Sequence, residues 1–213
     1  MHGSPAHNPF PEELLNEPLT QPEGRKLAPG AVVLARELET LAGQRVRIPD
    51  ANRRVHLQFR RFAGCPVCNL HLHTFVRRHD ALERAGIQEV VVFHSTAEDL
   101  QPHAGRLPFA VIADPDKWLY TEFGAESAPR ALLDPRAWWP ILRAVFHSLV
   151  SIIRDGSPVP PTNPRGGRFG LPADFLIASD GRVLACKYGQ HVDDQWSVDE
   201  VLKLAESTAR ETR

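Results

Sequence analysis

Residues 54–75 read RVHLQFRRFAGCPVCNLHLHTF, and this stretch decides the fold. Val55, Leu57 and Phe59 alternate with His56, Gln58 and Arg60, the period-two pattern of a β-strand. After Gly64 the period changes. Cys65-Pro66-Val67-Cys68 opens a helix running to about Arg84, with Leu72, Phe75, Val76 and Leu82 as its apolar stripe. Pro66 suits the first helical turn, where its missing N–H has no partner to lose. Cys65 therefore falls where a strand ends and a helix begins. The unpaired N–H groups there favour a thiolate, the reactive form of cysteine. Arg60 and Arg61, just upstream, add positive charge. Cys68, three residues on, can reach back to a mixed disulfide or a sulfenic acid at Cys65. In this reading Cys65 is the nucleophile and Cys68 the resolving thiol.

Working outward, strands and helices alternate. Residues 32–48 form a hairpin, VVLARELETL and RVRI joined at Ala42-Gly43-Gln44. Val90–Phe93 and Phe109–Ala113 are continuous apolar runs, as in buried parallel strands. Short helices follow at Ala97–His103 and Lys117–Phe123. Phe175–Ile177, the Asp180-Gly181 turn and Arg182–Tyr188 make a second hairpin. A helix from about Val198 to Arg210 closes the order, with Ser197 and Glu200 as a capping box. This succession implies an α/β fold with a mostly parallel central sheet, flanking helices, an N-terminal hairpin and a helical insertion. Residues 1–30, holding Pro5, Pro9, Pro11, Pro18, Pro22 and Pro29, read as an extended arm, and 31–210 as one domain interrupted by the insertion 125–168. Trp138–Ile153 is greasy enough to cover the sheet or the thiol site, or to form a homodimer face. It is expected to bury that face and not to bind lipid.

Four stretches, LQFRRFAGCPVCNLHLHTF, VVVFHSTAEDL, VIADPDKWLYTEFG and PADFLIASDGRV, resemble in order the peroxiredoxin-like branch of the alkyl hydroperoxide reductase/thiol-specific antioxidant family, over about residues 30–205. The resemblance implies a thioredoxin-like fold and thiol redox chemistry of an antioxidant kind, with Cys65 as the family's redox cysteine. It implies a peroxide or disulfide substrate and a thiol electron donor, either thioredoxin-like or of low molecular weight, with no organic cofactor. It puts Pro172 where such folds carry a cis-proline facing the cysteine and shaping substrate docking. Arg168 is available for the family's arginine. Typical members also carry Pro-x-x-x-Thr-x-x-Cys; here Gln58 and Phe62 stand at the Pro and Thr positions.

The same residues admit rivals. Cys65-x-x-Cys68-x-x-His71-x-His73 offers two thiols and two imidazoles, so a zinc-binding or interaction module on the same fold is the alternative. Against it, no second CxxC occurs, and His73 points away from the other three on a continuous helix. Cys186, among apolar strand neighbours, reads as a buried inert thiol. Of 213 residues 42% are hydrophobic and 24% charged, which excludes whole-chain disorder. Lys+Arg 25 against Asp+Glu 26 gives −1, so nothing draws the chain to nucleic acid. Three cysteines are too few for a disulfide scaffold. With no secretory pattern in MHGSPAHNPFPEELL and no apolar run of ~18 residues, a cytoplasmic protein without a membrane span is expected.

Overall fold

The computed structural model describes residues 26–125, 135–155, 158–159, 167 and 170–211. Most of the proline-rich arm, Arg168 and parts of the 125–168 segment lie outside these residues. The strands are β1 (Arg36–Glu39), β2 (Arg45–Ile48), β3 (Arg54–Arg60), β4 (Ile87–Phe93), β5 (Ala110–Ala113), β6 (Ala173–Ile177) and β7 (Val183–Tyr188). The helices are α1 (Pro66–Arg77), α2 (His79–Arg84), α3 (Ala97–Ala104), α4 (Trp118–Glu122), α5 (Pro135–Asp155) and α6 (Val198–Glu211).

β1 and β2 pair as the expected antiparallel hairpin, and the other five strands form one sheet in the order β5-β4-β3-β6-β7. The β3–β4 and β4–β5 pairs are parallel; β6 and β7 close the sheet antiparallel. This is the thioredoxin-like arrangement that the sequence implies. One face carries Val55, Leu57, Phe59, Val90, Val92 and Phe175, packed against Tyr120 and Phe123. α6 begins with the expected box: Ser197 N–H donates to Glu200 Oε2 at 2.7 Å and Glu200 N–H to Ser197 Oγ at 3.3 Å.

Three details differ from the sequence reading. The helix after Cys65 does not run unbroken to Arg84. It stops at Arg77, because Arg78 takes φ −114°, ψ 14°, outside the helical range. Phe75 and Leu82 nonetheless join the same apolar cluster. The alternation in β3 does not mark a solvent face: His56, Gln58 and Arg60 are as buried as their apolar neighbours. Finally, α5 finds only partial cover. Ile141 and Ala144 join the cluster around Cys65 and Cys68, while Trp138, Trp139, Leu142, Phe146, Leu149 and Ile153 are exposed. Among the described residues no helix is long and apolar enough to cross a membrane.

Candidate active site

Gly64 turns the chain from β3 into α1 at φ +73°, the left-handed region that glycine adopts without strain. The place is closed to a side chain as well. A Cβ there would lie 2.7 Å from the His103 ring. Cys65 follows as the residue capping α1, and no side chain caps the helix in the usual way. Pro66 occupies the first turn, and Asn69 N–H donates to the Cys65 carbonyl at 2.9 Å. The Cys65 sulfur therefore sits at the open N-terminal end of the helix.

Both CxxC cysteines are free thiols, with Cys65 0% and Cys68 2% exposed. Burial alone would push the Cys65 pKa up. The hydrogen bond from Cys68, the Arg61 guanidinium and the N–H groups of Cys68 and Val67 outweigh it and bring the pKa down to about 6. Arg61 Nη1 lies 3.6 Å from Cys65 Sγ. Burial and the neighbouring Cys65 push Cys68 well above its ordinary value. The two shifts run in opposite directions, so of the two sulfurs the surroundings favour charge on Cys65 and a protonated Cys68.

The other residues expected at the site scatter. Arg60 faces away from Cys65, beneath α1, where its Nη2 donates to Asp174 Oδ1 at 2.6 Å and to Gln58 Oε1. Arg61 alone of the two arginines reaches the thiolate. Arg168 lies outside the described residues. Pro172 is not cis; the one cis bond among the described residues is Ile48–Pro49. A tight fit holds that turn: Gly189 N–H donates to the Pro172 carbonyl at 2.8 Å, and a Cβ on Gly189 would meet the ring at 2.7 Å. The zinc rival's residues do not converge. His71 turns to Arg60 and Phe75, His73 lines a groove outside the helix, and among the described residues no three metal-ligating side chains gather. Cys186 is half-buried, its thiol 3.4 Å from the Leu27 carbonyl.

Two buried features escaped the sequence reading. Below α1, Glu89 accepts from His56 Nδ1 at 2.8 Å and also binds Gln58. His56 Nε2 lies 3.4 Å from Asp174, ion-pair distance without hydrogen-bond alignment. Burial opposes charge on His56, but Glu89 and Asp174 overcome it and raise its pKa to about 9. Asp174, penalised by burial, is held below the usual carboxylate range by Arg60 and His56. The one signal in the sequence was an acid in each of two otherwise apolar strands. The second feature is His94, which follows β4 and is 1% exposed. Neither ring nitrogen finds a partner among the described residues. Burial and Lys117 lower its pKa to about 4, so it is neutral. Its Nε2 would lie 2.9 Å from a Cβ at Gly170, and Arg61 Cγ 3.5 Å from the same point. His94 and the arginine serving Cys65 thus share the space that this glycine leaves open.

A sequence model of the AhpC/TSA antioxidant enzymes matches residues 72–191, beginning just after the CxxC. No curated protein matches the chain. Among solved structures, peroxidoxin BcpB from Mycobacterium tuberculosis is similar at 16% identity and TM-score 0.57, over 88% of this chain and 99% of that one. The reduced 2-Cys peroxiredoxin of Plasmodium vivax is similar at 13% identity and TM-score 0.60, over 87% and 84%. A putative thiol:disulfide interchange protein DsbE from Chlorobium tepidum is similar at 18% and 0.54, over 86% and 99%. At these identities the likeness is one of fold.

Proposed function

The chain belongs to the AhpC/TSA antioxidant enzyme family of thiol-dependent oxidoreductases, and from that premise we propose that Cys65 and Cys68 carry a two-cysteine peroxidase cycle. The Cys65 thiolate attacks one oxygen of a peroxide. The O–O bond breaks, Cys65 becomes a sulfenic acid, and the other oxygen leaves and takes up a proton as water or an alcohol. Cys68 then attacks the Cys65 sulfur, giving a Cys65–Cys68 disulfide and releasing water. Two equivalents of a thiol donor return the pair to the dithiol. The observation that carries this reading is the Cys65 sulfur at the start of α1, beside Cys68 and with Arg61 Nη1 at 3.6 Å, an arrangement that lowers its pKa. Burial of both sulfurs favours small oxidants over protein disulfides.

A second reading, disulfide reduction, draws support from the missing peroxide shell. Gln58 is committed to Glu89 and Arg60, and the Phe62 ring stacks beneath the Arg61 guanidinium at 5.3 Å. Neither takes the place of the threonine that typical members use. One experiment separates the two. The reduced protein is mixed with hydrogen peroxide or with a model disulfide, quenched by alkylation and mapped by mass. Peroxidase chemistry predicts fast Cys65–Cys68 disulfide with peroxide and, in Cys68→Ser, a trapped sulfenic acid at Cys65. Oxidation by the model disulfide alone would move the assignment to disulfide exchange. If neither oxidant pairs these two cysteines, the cycle is wrong.

A further inference from the structure

We propose that the groove between α1, the end of α3 and α5 binds the reducing substrate, and that this donor is a small thiol bearing carboxylates. The proposal rests on the reading that Cys65 and Cys68 cycle through a disulfide, and it names the class of donor. The groove encloses about 780 Å³ and starts at Gly64 and Pro66, the residues on either side of Cys65. That volume suits a ligand of small-molecule size. His73 comes from α1, His103 from α3, Arg106 from just beyond α3, and His147 from α5; all four line it. Among the described residues no Asp or Glu does. Asp99 acts on His103 but is not part of the lining.

A wall of three imidazoles and a guanidinium, with no carboxylate, offers N–H donors to an anion, and the Arg106 guanidinium repels a cation. A carboxylate-bearing thiol held there has its sulfur close to the turn that carries Cys65. A protein dithiol meets an obstacle, because it must present its thiolate in line with a sulfur that is itself fully buried. α5 closes that flank, with Ile141 and Ala144 packed into the cluster around both cysteines. The chemistry balances. One donor thiolate attacks the Cys65–Cys68 bond, forming a mixed disulfide and releasing the other cysteine as thiolate. A second donor thiolate attacks the donor sulfur of the mixed disulfide, freeing the protein thiol and yielding the donor disulfide. Two electrons pass from two thiols to one bond.

The test uses the full chain, oxidised to the Cys65–Cys68 disulfide. Its reduction is timed by quenched alkylation with glutathione, uncharged 2-mercaptoethanol, cationic cysteamine and reduced thioredoxin. Each rate is corrected for the donor's thiolate fraction. Glutathione should exceed 2-mercaptoethanol by ~5-fold or more at low salt, with cysteamine slowest, and the preference should fade as salt is added. Arg106→Ala should remove most of that preference, and Arg106→Lys should keep part of it. Equal corrected rates, a preference untouched by Arg106→Ala, or reduction mainly by thioredoxin would overturn the assignment while leaving the redox pair intact. Failure to form the disulfide at all would instead remove the reading beneath it.

Discussion

Replacing Asp174 with alanine strands a buried cation. Its Oδ1 accepts from Arg60 at 2.6 Å and lies 3.4 Å from His56 Nε2, and Oδ2 accepts from Trp196 N–H at 3.3 Å. Asp174, Arg60 and His56 are all fully buried. Removing one member of such a pair costs about 3–5 kcal/mol, because the remaining charge keeps its desolvation penalty and loses its partner. For a chain of this size each kcal/mol lowers the melting point by about 2–4 °C, so Asp174→Ala should melt lower by roughly 6–20 °C. Urea unfolding followed by tryptophan fluorescence and circular dichroism measures the difference, with an unchanged slope as the check on two-state behaviour. Replacing both partners with apolar residues, Arg60→Met with Asp174→Leu, should recover most of the loss. The network also sets a pH dependence. His56 rises from its ordinary 6.5 to about 9 on folding. The stability it contributes is complete below pH ~6.5 and fades as pH climbs through about 9, by about 3 kcal/mol in all. In Asp174→Ala that alkaline slope should shrink, since one of the two carboxylates holding the proton is gone. A cost below ~1 kcal/mol for Asp174→Ala, or a double variant no better than the single, would refute the argument.

Other expectations follow from single features. Alkylation of the reduced protein, mapped by mass, should show Cys65 titrating near pH 6 and Cys68 inert until well above pH 9. Arg61→Ala should move the Cys65 inflection up by about one unit, roughly halving its thiolate near neutrality; an unmoved inflection would mean the guanidinium is not felt. Gly64→Ala should cost about 2–4 kcal/mol in unfolding measurements, part from the positive φ and part from the His103 ring, and adding His103→Ala should return only the second part. Phe146 and Leu149 are 68% and 53% exposed, so Phe146→Asp with Leu149→Asp should leave the unfolding midpoint of the single chain within about 1 kcal/mol. Collapse of the fold would show a cover that the described residues lack, and a fall in mass by light scattering would show self-association through α5.

The elements around Cys65 were legible because their signals are local. Pro66 in a first turn, the capping box at Ser197 and Glu200, and the unbroken apolar run Val90–Phe93 each carry their cause within a few residues. What stayed hidden depends on partners remote in sequence. His56, Gln58 and Arg60 look like a wet face until Glu89 and Asp174 are brought beneath α1 from two other strands. Arg60 and Arg61 look equivalent as neighbours, yet Arg60 ends β3 with its side chain among Gln58 and Asp174, while Arg61 opens the turn and meets Cys65. His94 gave no signal at all, because its setting depends on Gly170, which arrives from the far side of the long insertion. The polar lining of the groove was hidden for the same reason, since His73, His103 and His147 come from three separate helices.

The place of β3 in the sheet has a consequence for exchange with solvent. It is the middle strand of five, hydrogen-bonded along both edges and covered on both faces, by hydrocarbon on one side and by matched charges on the other. Its amides have no local route to water and can swap their protons for deuterium only when the whole sheet opens. Immediately after Arg60 the ladder ends and the turn carrying Cys65 begins. Deuterium labelling should therefore draw an abrupt boundary there, with the slowest amides of the molecule a few residues ahead of the sulfur proposed to carry the chemistry. Opening and closing of the thiol turn can then be frequent without lowering the barrier to global unfolding.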